Sequence, residues 1–295
     1  LTDVGDTKRP LLVFLNEVGG GRGLLKAVRE RTTSGECSEV IVAAPQNQPT
    51  IGTLIDRDEL YASARARVEV TMSVFAEFGI DSVGEVLDRA PELALGDAIR
   101  AHAPGEVLFS ALYDTRFGVQ RKDLVEWARE LAEPEVKFTH IPVRVEEDAL
   151  RLDLAHVLVI ATQTVNAPDL VARLKERAAT RPHRYTIVSP RSEAVSEDQV
   201  VRDLAATLAE LYRAEIDATG LPISAEDPFD SVRNAIEHYK IDEILISTFA
   251  GQQSRWLESD LVGRVRGITD KPVSHVEVGR APAAVAAAVA EGGEH

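Results

Sequence analysis

Two stretches of this sequence hold residue types that an anion site uses, glycines with a cation in one and glycine, hydroxyls and a cation in the other. The first is EVGGGRG (Glu17–Gly23), directly after the apolar run LLVFLN (Leu11–Asn16). Its consecutive glycines Gly19, Gly20 and Gly21 can turn backbone amides toward one anion, with the guanidinium of Arg22 beside them. The spacing fits neither a dinucleotide fingerprint nor a P-loop, since no Gly-Lys-Ser/Thr follows. A flexible strand-to-helix turn is the other reading of the same residues. The second stretch is ISTFAGQQSRWLESDL (Ile246–Leu261). Ser247, Thr248, Gly251, Gln252, Gln253, Ser254 and Arg255 offer hydroxyls, amides and one cation at the end of an apolar strand. Open α/β sheets bind ligands at such strand ends. A polar surface loop is the plainer alternative.

Catalytic chemistry is not indicated. No nucleophile–base pair, acid pair or metal cluster stands at diagnostic spacing. His140 and His275 lie on separate strands and read as interface or surface residues, since no histidine pair has the spacing of a helical metal site. The one cysteine, Cys37, lies in the polar turn TSGECSE without a local cluster of His or Arg to lower its pKa. A single cysteine excludes an internal disulfide framework and fits a reducing cytoplasm.

The elements that must position these residues occur twice. DAIRAHAPGEVLFS (Asp97–Ser110) lies over NAIEHYKIDEILIS (Asn234–Ser247) at an offset of 137 residues. KDLVEWAR (Lys122–Arg129) and SDLVGRVR (Ser259–Arg266) keep that offset. LLVFLN falls on VLVIAT (Val157–Thr162) at an offset of 146, the difference being mostly a longer loop in the first copy. The boundary falls in the charged stretch EEDALRLD, which gives domains 1–146 and 153–295. In the second copy VLVIAT and YTIVS are short apolar runs, too short for helices. DQVVRDLAATLAELYRAE carries Val201, Leu204, Leu208 and Leu211 at helical spacing. A third strand is expected near LPIS, where Pro222 restricts it to an edge or a bulge. DEILIS and PVSHVEV are the fourth and fifth strands, and VKFTHI (Val136–Ile141) is the fifth strand of the first copy. In the first copy Leu60, Ala64, Val68, Met72 and Phe75 form the stripe of a long helix. Uniformly apolar strands separated by helices imply a parallel sheet covered on both faces.

The opening strand, the Asp227–Pro228 pair before the third helix, IDEILIS as fourth strand and a fifth strand opening KPV (Lys271–Val273) make the chain resemble a tandem universal stress protein. The resemblance covers nearly the whole chain. It implies two α/β domains, each a five-stranded, doubly wound parallel sheet of the Rossmann-like adenine-nucleotide-binding superfamily. It further implies pairing of the two domains through their fifth strands. An open edge strand is a natural partner for another, which agrees.

Nucleotide-binding members of that family carry Gly, two residues, Gly, nine residues, then Gly followed by Ser or Thr. The glycines bring amides to phosphates, and the final pair opens a helix whose N-terminus attracts an anion. Here these positions are Ser110, Tyr113, Asp123 and Leu124 in the first copy, and Ser247, Ala250, Asp260 and Leu261 in the second. Every glycine is missing. Asp is a preferred N-cap, so Asp123 and Asp260 are expected to fill the anion site from within. The aspartate that contacts the nucleoside after the first strand is replaced by Asn16 and Thr162.

The resemblance therefore implies a stress-response type of binding or regulatory protein without the usual triphosphate site and with no required cofactor. Its ligand would be a small polar molecule or a protein partner. The alternative is an adenine-nucleotide (ATP) binding protein, or a slow ATP hydrolase, using Asn16, the glycine loop and Arg22. Charge bounds the partners: 48 acidic against 33 basic residues leave a net charge of −15, and most arginines alternate with acids on helices. No basic stripe for nucleic acid results. No apolar run approaches the ~18 residues of a membrane span, and the opening LTDVGDTKRP lacks the apolar core of a signal peptide. A cytoplasmic protein without membrane contact is expected. Beside the tandem pair, a homodimer is the further assembly considered.

Overall fold

The computed structural model describes residues 8–16, 21–47, 57–88, 90–111, 116–117, 122–142, 154–161, 163–190, 195–223, 229, 232–233, 236, 241–250 and 260–279. The first unit runs β1 (Leu11–Leu15), α1 (Gly21–Ser34), β2 (Val40–Pro45), α2 (Arg57–Glu77), β3 (Val83–Leu87), α3 (Pro91–His102) and β4 (Glu106–Ala111). A two-residue hairpin, β5 (Arg116–Phe117) and β6 (Lys122–Asp123), then leads into α4 (Leu124–Ala132) and β7 (Lys137–Pro142). The second unit runs β8 (Ala155–Ile160), α5 (Pro168–Thr180), β9 (His183–Pro190), α6 (Glu197–Arg213) and β10 (Asp217–Ile223). It continues with β11 (Glu243–Phe249), α7 (Leu261–Ile268) and β12 (Val273–Val278).

Each unit holds one five-stranded sheet, in the orders β3-β2-β1-β4-β7 and β10-β9-β8-β11-β12. Every ladder in the two sheets is parallel. The class is therefore α/β, doubly wound, repeated twice. The order reverses between β1 and β4, and between β8 and β11, so each sheet has a switch point at the carboxyl ends of those strands. Strand β10 begins four residues before the expected LPIS segment. It lies at a sheet edge, where Pro222 leaves no ladder bond unmade on its open side.

Central strands bury both faces because successive side chains alternate. Leu12 and Phe14 pack with Phe109, Leu95 and Leu124 under α3 and α4. Leu11, Val13 and Leu15 face the opposite way, into a core that the two units share. There Ala64, Val68, Val74 and Phe75 of α2 belong to one apolar cluster with Val201, Leu204, Leu208 and Leu211 of α6. Leu158, Ile160 and Ile246 build the third core with Leu261 and Val265 of α7.

β7 and β12 each end their own sheet, and among the described residues no ladder connects them, so the expected pairing of the fifth strands is not seen there. The seam is made by α2 against α6, with α1 and α2 also meeting the edge strand β10. The reason lies in α2, where Val68 and Val70 are both buried although two residues apart on a helix. Apolar positions on more than one side require a helix to be covered by more than its own sheet. α2 and α6 run side by side in the same direction, since Arg65 approaches Asp198 at 4.0 Å and Glu77 meets Arg213 at 2.9 Å. Arg29 and Arg213 also stand over the ring of Phe78, at 5.9 and 5.1 Å. These exposed pairs contribute at most about 1 kcal/mol each, so the apolar cluster holds the seam.

Two glycines let the seam helices approach their sheets. A Cβ at Gly84 on β3 would lie 2.5 Å from Val68 Cγ1 and 2.4 Å from Met72 Sδ, and one at Gly220 on β10 would lie 2.7 Å from Leu204 Cδ1. The third strand of each unit thus spares a side chain where α2 or α6 crosses it.

Candidate functional site

In the first unit, the ends of β1 and β4 are tied by Asn16 N, which donates to Ser110 O at 2.9 Å. Asn16 is 1% exposed and Ser110 fully buried. The Ser110 hydroxyl has no hydrogen-bond partner among the described residues. The carbonyls that end β1 and β2 are already occupied. Nη1 of Arg67, on α2, donates to Asn16 O at 2.8 Å and to Leu15 O at 3.3 Å. Its Nη2 donates to Pro45 O at 2.7 Å and to Asn47 Oδ1 at 2.8 Å. Asn47 Nδ2 in turn donates to Asn16 O at 2.9 Å. Arg67 is 1% exposed, so a buried guanidinium ties the ends of β1 and β2 together and occupies their carbonyls.

Gly21 and Arg22 open α1 but face the seam. A Cβ at Gly21 would lie 3.5 Å from Ala218 O, and Arg22 Nε donates to Asp217 Oδ1 at 3.0 Å. The charge of Arg22 is thus engaged by the second unit. Gly19 and Gly20 lie outside the described residues.

Asp123 is the N-cap of α4. Its Oδ1 accepts from Val125 N at 2.9 Å and Glu126 N at 3.0 Å. Asp260 is the N-cap of α7 and accepts from Gly263 N at 3.1 Å. The two caps differ in backbone. Asp123 is extended, with φ −66°, whereas Asp260 is left-handed, with φ 47°. At Gly263 a Cβ would lie 2.2 Å from Asp260 Oδ2, so this cap needs glycine three residues on. Each carboxylate satisfies amides that a phosphate would otherwise take.

At the second switch point Ser247 is 1% exposed, and its hydroxyl is likewise without a partner among the described residues. Its carbonyl accepts from Thr164 Oγ1 at 3.2 Å. Thr248 Oγ1 and His275 Nε2 are 2.8 Å apart. On the matching strand of the first unit, His140 Nε2 donates to Ala111 O at 3.1 Å. Burial pushes the His140 pKa down, against the opposing pull of that bond. Both histidines therefore reach from a fifth strand to the residue after the buried serine of the fourth. Thr162, Gly251 and Ser254 lie outside the described residues.

Sequence reasoning missed Arg67 and Asn47. The available signal was an arginine one position from Val68, at the margin of the apolar stripe of α2. No group of three metal-ligating side chains occurs among the described residues, and no described helix is long and apolar enough to cross a membrane.

Fold and site together define a two-unit, doubly wound α/β protein in which the helix after the fourth strand of each unit is capped by its own aspartate. The sequence matches no family model and no curated protein. Among solved structures, a universal stress protein from Archaeoglobus fulgidus DSM 4304 is similar at 14% identity, over 92% of this chain and 97% of that one, with a TM-score of 0.34. A putative universal stress protein from Pseudomonas aeruginosa UCBPP-PA14 is similar at 13% identity, over 92% and 94%, with a TM-score of 0.29. A glycosyltransferase from Rickettsia africae ESF-5 overlaps as loosely, at 12% identity over 93% and 81%, also with a TM-score of 0.29.

Proposed function

We propose that the chain is a tandem binding and regulatory protein of the universal-stress-protein type, with domains 1–146 and 153–295, whose phosphate positions are occupied by its own carboxylates. The observation that carries this reading is the pair of N-caps, Asp123 on Val125 and Glu126, and Asp260 on Gly263. A phosphate brought to either helix would meet a like charge. At ~4 Å and an effective dielectric of ~20 the repulsion is on the order of 4 kcal/mol, or roughly three decades in affinity. The first crevice is further disfavoured for a nucleotide by Arg67, which takes the strand-end carbonyls, and by the pairing of Arg22 with Asp217. A small polar ligand or a protein partner is the reading that remains.

Thermal melts with ATP test the reading. A ligand at about 100 times its dissociation constant adds ~2.7 kcal/mol, enough to raise the Tm by several degrees. The expected result is an unchanged Tm at millimolar ATP. A dose-dependent rise would overturn the proposal and favour the adenine-nucleotide reading.

A further inference from the structure

Helices α2 and α6 each do two things. They form the seam between the units, and each holds the turn that follows the first strand of its own sheet. On α2, Arg67 stands between Ala64 and Val68, which belong to the apolar cluster shared by the two units, and donates to Leu15 O and Asn16 O. On α6, Thr207 stands between Leu204 and Leu208 and donates Oγ1 to Val165 O at 2.7 Å, in the turn after β8. Thr207 is 2% exposed. Both hydrogen bonds are thus buried and lie mid-helix, within the stretch that packs across the seam.

We propose that the α2–α6 pair mechanically couples the two crevices, so that loosening one first-strand turn loosens the other. The inference goes beyond the proposed function and does not depend on it, because no ligand enters the argument. Close-packed interiors shift as units rather than deform locally. A displacement of α6 that follows the turn at Val165 must carry Leu204 and Leu208 with it, within the apolar cluster that α6 shares with α2. Arg67 moves with α2 and carries the carbonyls of Leu15 and Asn16. Sliding along the seam is resisted by Arg213 with Glu77 and by Arg65 near Asp198. Such coupling is reciprocal, so either crevice can report to the other.

Hydrogen exchange on the full chain tests this with Thr207→Val, which leaves Val165 O without its donor. Exchange across residues 163–166 should rise. The amides of Asn16 and Gln46, in the other unit, should rise by about threefold or more, as for coupled contacting residues. The amides of Leu12 and Leu158, in mid-sheet, should not change. Adding Leu208→Ala, which opens the shared apolar cluster on the α6 side, should cancel the distant effect while keeping the local one. Acceleration confined to 163–166, equal acceleration at Leu12 and Leu158, or persistence of the distant effect in the double variant would each overturn the proposal.

Discussion

Glu106 and Arg31 form a bidentate pair at the end of the first sheet opposite its crevice. Nη2 and Nε of Arg31 donate to Oε1 and Oε2 of Glu106 at 2.8 and 3.1 Å, and Thr139 and Lys137 add further bonds at 2.7 and 3.1 Å. The second unit repeats the device, with Glu243 taken by Arg177 and Arg181. In each case an acid at the start of the fourth strand is held by the first helix or the residue just beyond it.

This pairing makes stability depend on pH. Burial would by itself raise the Glu106 pKa, but the bonds from Arg31, Thr139 and Lys137 outweigh it and hold the carboxyl below the usual range. A glutamate in the unfolded chain titrates near ~4.3. The contribution of Glu106 is therefore complete above that value and is lost as pH falls through the lower folded value. Glu106→Gln should cost about 2 kcal/mol at neutral pH, since it leaves Arg31 half-satisfied. It should also flatten the acid side of the stability curve. Denaturant melts from pH 7 downward measure both, and parallel curves for the two proteins would refute the assignment.

The two N-caps should respond differently to replacement. Asp123→Ala loses two amide bonds from an extended cap and should cost about 1 kcal/mol. Asp260→Gly loses the cap but relieves a left-handed backbone, so its stability should stay within about 0.5 kcal/mol of the parent. With the carboxylate removed, this variant should gain a Tm response to inorganic pyrophosphate that the parent lacks. Equal costs for both substitutions would show that backbone strain at Asp260 is unimportant.

Filling the third-strand glycines should push the seam helices away from their sheets. Gly84→Ala meets Val68, a β-branched side chain with little rotamer freedom, and should cost about 1–3 kcal/mol. Gly220→Ala meets the more mobile end of Leu204 and should cost less. Thermal denaturation ranks the pair, and the reverse order would count against the packing account.

Much of the architecture was legible because it depends on local pattern. Apolar runs with β-branched residues became the strands, and Pro222 fell on an edge strand because a residue without an N–H is tolerated there. The helix starts at Asp123 and Asp260 were also readable, because capping is decided within three residues. The seam was not. Val70 of α2 lies off the single apolar stripe and looks like a surface position, yet it is buried in a helix that packs on the second unit as well as on its own sheet. Arg22 looked available for an anion until the fold brought Asp217 to it, 195 residues away in sequence.

The order of strands and helices, their duplication and the negative charge at the start of α4 and α7 were set by the chain itself, since each rests on periodicity or on neighbours a few residues apart. Tertiary structure decided which helices join the units, where Arg67 spends its hydrogen bonds, and which cation faces which acid. Those choices depend on packing volume and on burial of polar groups between segments far apart in sequence, and no local pattern encodes them.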